Sequence, residues 1–189
     1  MRRIKNIKVK IKTVKKPDIC IGDHFIYKDI KWICLDIIDD NYLAITAQVW
    51  KELPFDVDCH INWKESSLRR VLNDEFLDKL DKKYLIKQTS DLIADNGDKR
   101  YGTCEDYVTI LSCDQYRKYR DIVPHYPEWE WTLTPWNCLS DGGISVRYVT
   151  RAGDIHHGTA DFDCGVAPVV LFSSKTKKYF NIKETKKIV

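Results

Sequence analysis

Six side chains with metal-ligating atoms crowd into eleven residues: Asp154, His156, His157, Asp161, Asp163 and Cys164. Imidazole, carboxylate and thiolate are the donors that Zn²⁺ and related divalent ions take. His156, His157 and Asp161 are therefore the metal candidates. Their spacing matches no established metal motif. If the segment is a strand, alternation also turns His156 and His157 to opposite faces. The competing reading is a polar hairpin ahead of the last core strand, with no cofactor implied.

A second constellation is aromatic and acidic. Trp129, Trp136 and Asn137, with Glu128 and Glu130 between and beside them, suit a sugar- or peptide-binding face, because indole rings dominate such contacts. Trp131 is expected in the core instead. Asp161 and Asp163 extend the acidic character. Concentrated carboxylates can also mimic a phosphate backbone and occupy a basic nucleic-acid channel. The competing reading for Asp56, Asp58, Glu128 and Glu130 is ordinary solvated charge.

A catalytic set is harder to assemble. Cys59-His60 has the residue types of a nucleophile and its base. Neighbours in a strand point apart, so the pair makes a poor dyad. Asp141-Gly142-Gly143 reads as a turn and not as a phosphate-cradling loop.

The elements that position these groups are short. Ile19 to Ile26 and Ile30 to Ile38 read as strands around Tyr27-Lys28-Asp29. Asp39-Asp40-Asn41 is a turn by composition, and Tyr42 to Thr46 is the return strand. Ser66 or Ser67 caps the clearest helix, with Leu68, Val71, Leu72, Phe76 and Leu80 at helical spacing. Lys82 to Lys87 is expected to form a short second helix. Val108 to Leu111 is strand-like. Ser112-x-x-Gln115 is a capping box that opens a helix through Tyr116 and Tyr119. Gly-marked short strands follow Pro124. Lys8 to Lys12 alternates Lys with Val and Ile, as an edge strand or ordered arm would. Helices early and in the middle, among short strands, predict α+β architecture.

A chain of 189 residues fits one domain with tails. The expected divisions are a basic arm at 1–16, a domain at 17–174 and a basic tail at 175–189. The first 16 residues carry eight Lys or Arg and no acid, and residues 175–189 carry six Lys against Glu184, which leaves the body at −10 within a net charge of +3. Nucleic acid would be met only through the tails, since a nucleic-acid binder gathers basic charge on its folded surface. Seven Cys at wide spacing, with no C-x-x-C, read as reduced thiols. The Met-Arg-Arg start lacks an apolar leader core, and no apolar run suffices to span a membrane. Those features predict a cytoplasmic protein.

An ordered series of motifs resembles a functionally uncharacterised family of bacterial and phage domains. Gly22-Asp23 and Lys31-Trp32-Ile33-Cys34-Leu35-Asp36 match its opening. Pro54-Phe55-Asp56 comes next. Trp63 to Phe76 matches W-x-x-S-x-L-R-x-x-L-N-x-x-F, and Asp106 to Ser112 matches a strand-to-helix junction. Trp131 to Pro135, Gly153-Asp154-Ile155 and Gly165 to Val170 match its ending. That ending is also similar to C-type-lectin-like domains and the formylglycine-generating-enzyme group. The resemblance implies a single C-type-lectin-like α+β domain with two or three helices and short, mostly antiparallel strands. A fold alone does not carry a function.

Two departures stand out. Leu133 and Ala167 occupy positions where the family has arginine. Their joint loss suggests that the two guanidiniums were linked, through an acidic partner or a buried network. Exchanging such a network for apolar groups is close to neutral for stability. The lectin calcium signature is only echoed by Pro135-Trp136-Asn137-Cys138. Cys138 and Cys164 lack the surroundings of an oxidase cysteine pair. The expected function is thus a non-enzymatic binding module that meets a protein partner through the loops around Trp129–Asn137 and Asp154–Asp163. The alternatives are a phage anti-defence inhibitor of a host nuclease acting through an acidic surface, and a metal-dependent enzyme built on His156 and His157.

Overall fold

Two-residue hairpins join the first three described strands. The computed structural model describes residues 18–138 and 144–182. Lys8 to Lys12 lies outside them. Strand β1 (His24–Tyr27) reaches β2 (Ile30–Ile38) through Lys28 and Asp29, and β2 reaches β3 (Asn41–Thr46) through Asp39 and Asp40. All four turn residues have positive φ, between 48° and 64°. That is the geometry whose twist matches the flanking strands.

The later elements are β4 (Lys51–Pro54), α1 (Ser67–Val71), β5 (Leu85–Ile86), β6 (Gln88–Asp91), β7 (Thr103–Asp106) and β8 (Val108–Thr109). They continue with α2 (Cys113–Tyr119), β9 (Glu130–Pro135), β10 (Ser145–Val149), β11 (Ile155–Thr159), β12 (Asp163–Val166), β13 (Val169–Phe172) and β14 (Asn181–Ile182). Among the described residues a seven-stranded sheet runs β14-β1-β2-β3-β13-β5, with β8 also on β13. A five-stranded sheet runs β11-β10-β9-β12-β4, and β6 pairs β7 as a ribbon. The single parallel contact among them joins β12 to β9. Strands dominate and the helices are short, which is the expected α+β architecture.

Alternation along β2 divides the core. Trp32 and Cys34 face one cluster, with Phe172, Phe180, Leu72, Phe76 and Trp131. Ile33 and Leu35 face another, covered by Tyr116 and Tyr119 of α2. Helix α2 opens with the expected capping box: the Ser112 hydroxyl accepts from the Gln115 N–H, and the Gln115 side chain accepts from the Ser112 N–H.

The expected helix from Ser66 onward forms but is irregular. Ser66 caps α1, after which Leu72–Phe76 widens to a π turn and Leu77–Lys79 tightens to a 3₁₀ turn. Asn73 explains the change. Its side-chain amide donates to the carbonyls of Arg69 at 3.1 Å and Val108 at 2.8 Å, so it takes an acceptor that the α ladder needs. The helix expected at Lys82 to Lys87 is one 3₁₀ turn, Lys82–Tyr84. Leu85 and Ile86 pair with Phe172 and Leu171 instead, so strand pairing overrides local propensity there.

The motif residues meet in one network. Trp63 donates its indole N–H to Asp106 at 2.9 Å, and Arg69 clamps the same carboxylate. Asp56 accepts the Ser67 N–H at 2.7 Å and so steadies the start of α1. These residues hold the helix to β7 and β8. The described fold also continues past residue 174, where a basic tail was expected to begin. Phe180 is fully buried, 4.3 Å from the Phe25 ring, and β14 pairs β1.

Candidate functional site

Strand pairing sets the surroundings of Trp129, the residue before β9. Its indole lies flat on Tyr148 of β10, with 5.0 Å between centroids and 7° between planes. Tyr148 stacks in turn on His156, its cross-strand partner in β11, at 6.2 Å. Phe162 approaches Trp129 at 6.0 Å. Trp129 and Phe162 remain 41% and 47% exposed. The rings form a fixed platform, so a ligand would not have to order them on binding.

Acidic residues stand on the neighbouring segments. Glu128 precedes Trp129, Asp161 and Asp163 bracket Phe162, and β4 sets Glu52 opposite Gly165. Gly165 permits a close approach here. A Cβ at that position would meet Trp129 O and Val49 Cγ2 at 2.9 Å and Glu128 Cβ at 3.2 Å.

Trp136 belongs to a different cluster. It lies 4.3 Å from the His157 ring, and the Arg147 guanidinium sits 4.1 Å above its centroid. Arg147 pairs with Asp95, which Arg117 also approaches at 3.8 Å. Register explains the separation: His156 opposes Tyr148 and His157 opposes Arg147, on opposite faces of the sheet. The expected single face therefore divides, with Trp129 and His156 apart from Trp136 and His157, while Glu128 lines a groove with His125 and Tyr126. Asn137 follows Trp136.

Three expected site roles are corrected. The metal set of His156, His157 and Asp161 is not assembled, because the two imidazoles face apart and Asp161 lies beside Cys59. The group with metal-ligand spacing among the described residues is Asp56, Asp58 and His60. Asp56 is not a solvated charge but fully buried, and its oxygens already accept from the N–H groups of Asp58, His60 and Ser67. His60 Nδ1 lies 2.9 Å away. Burial alone would raise the Asp56 carboxyl, but the hydrogen bonds from His60, Ser67 and Asp58 hold it below its ordinary value. Its acceptor capacity is spent on ordering the loop.

Glu130 is likewise neither solvated nor available to a partner. It is 6% exposed, and burial pushes its carboxyl up to about 8. β9 is covered on both faces, so alternation offers Glu130 no route to water.

The thiols show no nucleophile. Partial burial, and then the Asp161 carboxylate, push Cys59 above its ordinary value, opposite to the shift that activates a thiol. Cys138 contacts Asp98 O and Cys164 sits in β12 opposite Leu53, so the two are unpaired and differently placed.

No family model, curated protein or solved structure matches this chain. The function must therefore be read from its own surface. Leu133 and Ala167 are both buried and lie in different core clusters. Ala167 lines a small void with Glu130, whereas Leu133 lines a cleft of about 370 Å³ with Asp95 and Arg117. The larger concavity is a groove of about 560 Å³ between residues 47–52 and 124–128. Sequence spacing gave no sign of it, because two irregular segments far apart in the chain form its walls. Among the described residues no helix is long and apolar enough to cross a membrane.

Proposed function

We propose that this chain is a non-enzymatic binding module with a C-type-lectin-like α+β core, and that it recognises a protein partner through the face centred on Trp129. The observation that carries the reading is the exposed indole held flat on Tyr148 beside Phe162. Large, rigid, half-exposed aromatics are the anchors of protein interfaces. The convergence of Trp63, Arg69 and Asp106 supports the fold part, because the motif residues act as structural fasteners and leave the loops to vary.

The test is capture by variants of known fold. A partner retained by wild type and by Trp136→Ala should be lost on Trp129→Ala, with far-UV circular dichroism unchanged. Retention of that partner by Trp129→Ala sinks the proposal. A phage anti-defence inhibitor of a host nuclease is a second reading, favoured by the acidic residues Glu52, Glu128, Asp161 and Asp163 on segments next to Trp129 and Phe162. Glu130 takes no part in such a surface because it is buried.

A further inference from the structure

We infer that the chain has a second binding surface, separate from the Trp129 face, which holds single-stranded nucleic acid. It is built by the 3₁₀ turns Lys82–Tyr84 and Ser174–Tyr179 with Lys87 and Tyr107 beside them. The two turns are fastened together. The Ser173 N–H and the Thr176 hydroxyl both donate to Tyr84 O, at 2.8 and 3.1 Å, and the Tyr84 hydroxyl donates to that of Tyr179 at 2.8 Å. Tyr107 joins through Lys82 and Lys87, whose ammonium groups lie 4.9 and 5.7 Å from its ring centroid.

The way the lysines are held is the first support. Lys83 sits 4.9 Å over Tyr84, and Lys178 sits 4.9 Å over Tyr179. A ring face steadies an ammonium group without cancelling its charge. Lys82, Lys83 and Lys87 form no ion pair among the described residues, whereas Lys51 and Lys118, which also sit over rings, are neutralised by Glu75 and Asp36. Asp81, the acid next to the first turn, is taken by Lys28 and the Tyr27 hydroxyl. Fixed positive potential thus gathers on one surface of an otherwise acidic body, and a phosphate backbone complements it.

The attachment of the chain ends is the second support. Lys177 of the second turn pairs with Asp18, the first described residue, and Ile182, the last, follows Tyr179 by three positions and pairs with Phe25. Residues 1–16 carry eight Lys or Arg and no acid, and residues 183–189 carry Lys183, Lys186 and Lys187 against Glu184. Both basic stretches are therefore joined to the body beside this surface, and the folded lysines extend the charge of the tails.

The rings are the third. Tyr179 is 47% exposed, so a base can stack on it while the lysines meet the flanking phosphates. A duplex keeps its bases in its own stack, which favours a single strand. No Trp, Leu or Phe is exposed on the described residues of these two turns or of β5, as a membrane anchor would require.

The experiment uses the full chain and fluorescein-labelled oligothymidine, read by anisotropy over a salt series. A duplex of the same length and phosphatidylserine vesicles are the comparators. Lys82→Gln/Lys83→Gln/Lys87→Gln should weaken binding by about tenfold and lower the slope of log affinity against log salt by about 2, since each phosphate contact to a single strand contributes about 0.7. Tyr179→Ala should weaken oligothymidine binding by about tenfold. Lys99→Gln/Arg100→Gln/Arg117→Gln removes equal charge from α2 and from the loop at the other end of the β6–β7 ribbon. At physiological salt it should leave binding nearly unchanged, because screening confines distant charges. The inference is overturned if the Lys82→Gln/Lys83→Gln/Lys87→Gln variant binds as tightly as wild type, or loses no more than the Lys99→Gln/Arg100→Gln/Arg117→Gln control. Tyr179→Ala without effect, or a duplex or vesicle bound more tightly than oligothymidine, overturns it as well. The substituted lysines are exposed, and Lys83→Gln/Lys178→Gln repeats the test on both turns if the triple variant misfolds. Trp129→Ala should leave oligothymidine binding unchanged, so this surface and the partner face are judged separately.

Discussion

Glu130→Gln should stabilise the protein at pH 8 and leave its stability nearly unchanged at pH 5. Burial keeps the Glu130 carboxyl protonated up to about 8, against an ordinary value of 4.5. Between those two values the folded state holds a proton that the unfolded chain has released. Stability linked to this proton is complete below the lower value, falls as pH rises through the window, and is lost above the upper one. At about 1.4 kcal/mol per pH unit, the interval from pH 5 to pH 8 amounts to about 4 kcal/mol. Gln keeps the shape and removes the ionisation. Asp36, held low by Lys118, and Asp56, held low by its hydrogen bonds, finish titrating below this window and do not mask it. Urea midpoints at pH 5, 6.5 and 8 measure the effect directly. Wild type should lose stability across the series while Glu130→Gln stays nearly level. A variant that falls as steeply as wild type, or is the less stable of the two at pH 8, refutes the reasoning.

Other outcomes follow from the packing. Arg69→Met leaves the Asp106 carboxylate buried without its cation and should cost about 3 kcal/mol in urea denaturation. Phe180→Ala empties a fully buried site against Phe25 and Phe172 and should cost about 4 kcal/mol, a loss that a frayed tail would not produce. Ser112→Ala removes the acceptor for the Gln115 N–H and should cost about 1 kcal/mol, read as a lowered thermal midpoint.

Local chemistry was legible wherever the chain acts on itself over a few residues. The Ser112 capping box and the turns at Lys28-Asp29 and Asp39-Asp40 form as their residue types dictate. The run from Trp63 to Asn73 also sits on a helical start, although the structural partners of Trp63, Arg69 and Asn73 lie more than thirty positions away. Burial of charge was not legible. Glu130 stands between two tryptophans, one exposed and one in the core, and only the coverage of β9 on both faces decides its fate. Asp56 carries no sign in sequence that three backbone N–H groups will converge on it. The aromatic site was half legible. The types of Trp129 and Trp136 announced an exposed face, but the split between them depends on β10 and β11 register. Tyr148 and Arg147, which hold the two rings, drew no notice because neither belongs to a motif.

The most direct measurement places a photo-crosslinking residue on the face itself. Phe162→p-benzoylphenylalanine sits beside Trp129, and Ile37→p-benzoylphenylalanine sits at a comparably exposed position on β2. Irradiation in cells that supply the partner should give one discrete protein adduct from position 162 and none from position 37. Adducts from position 37 alone, or of equal yield from both, would contradict a partner site centred on Trp129.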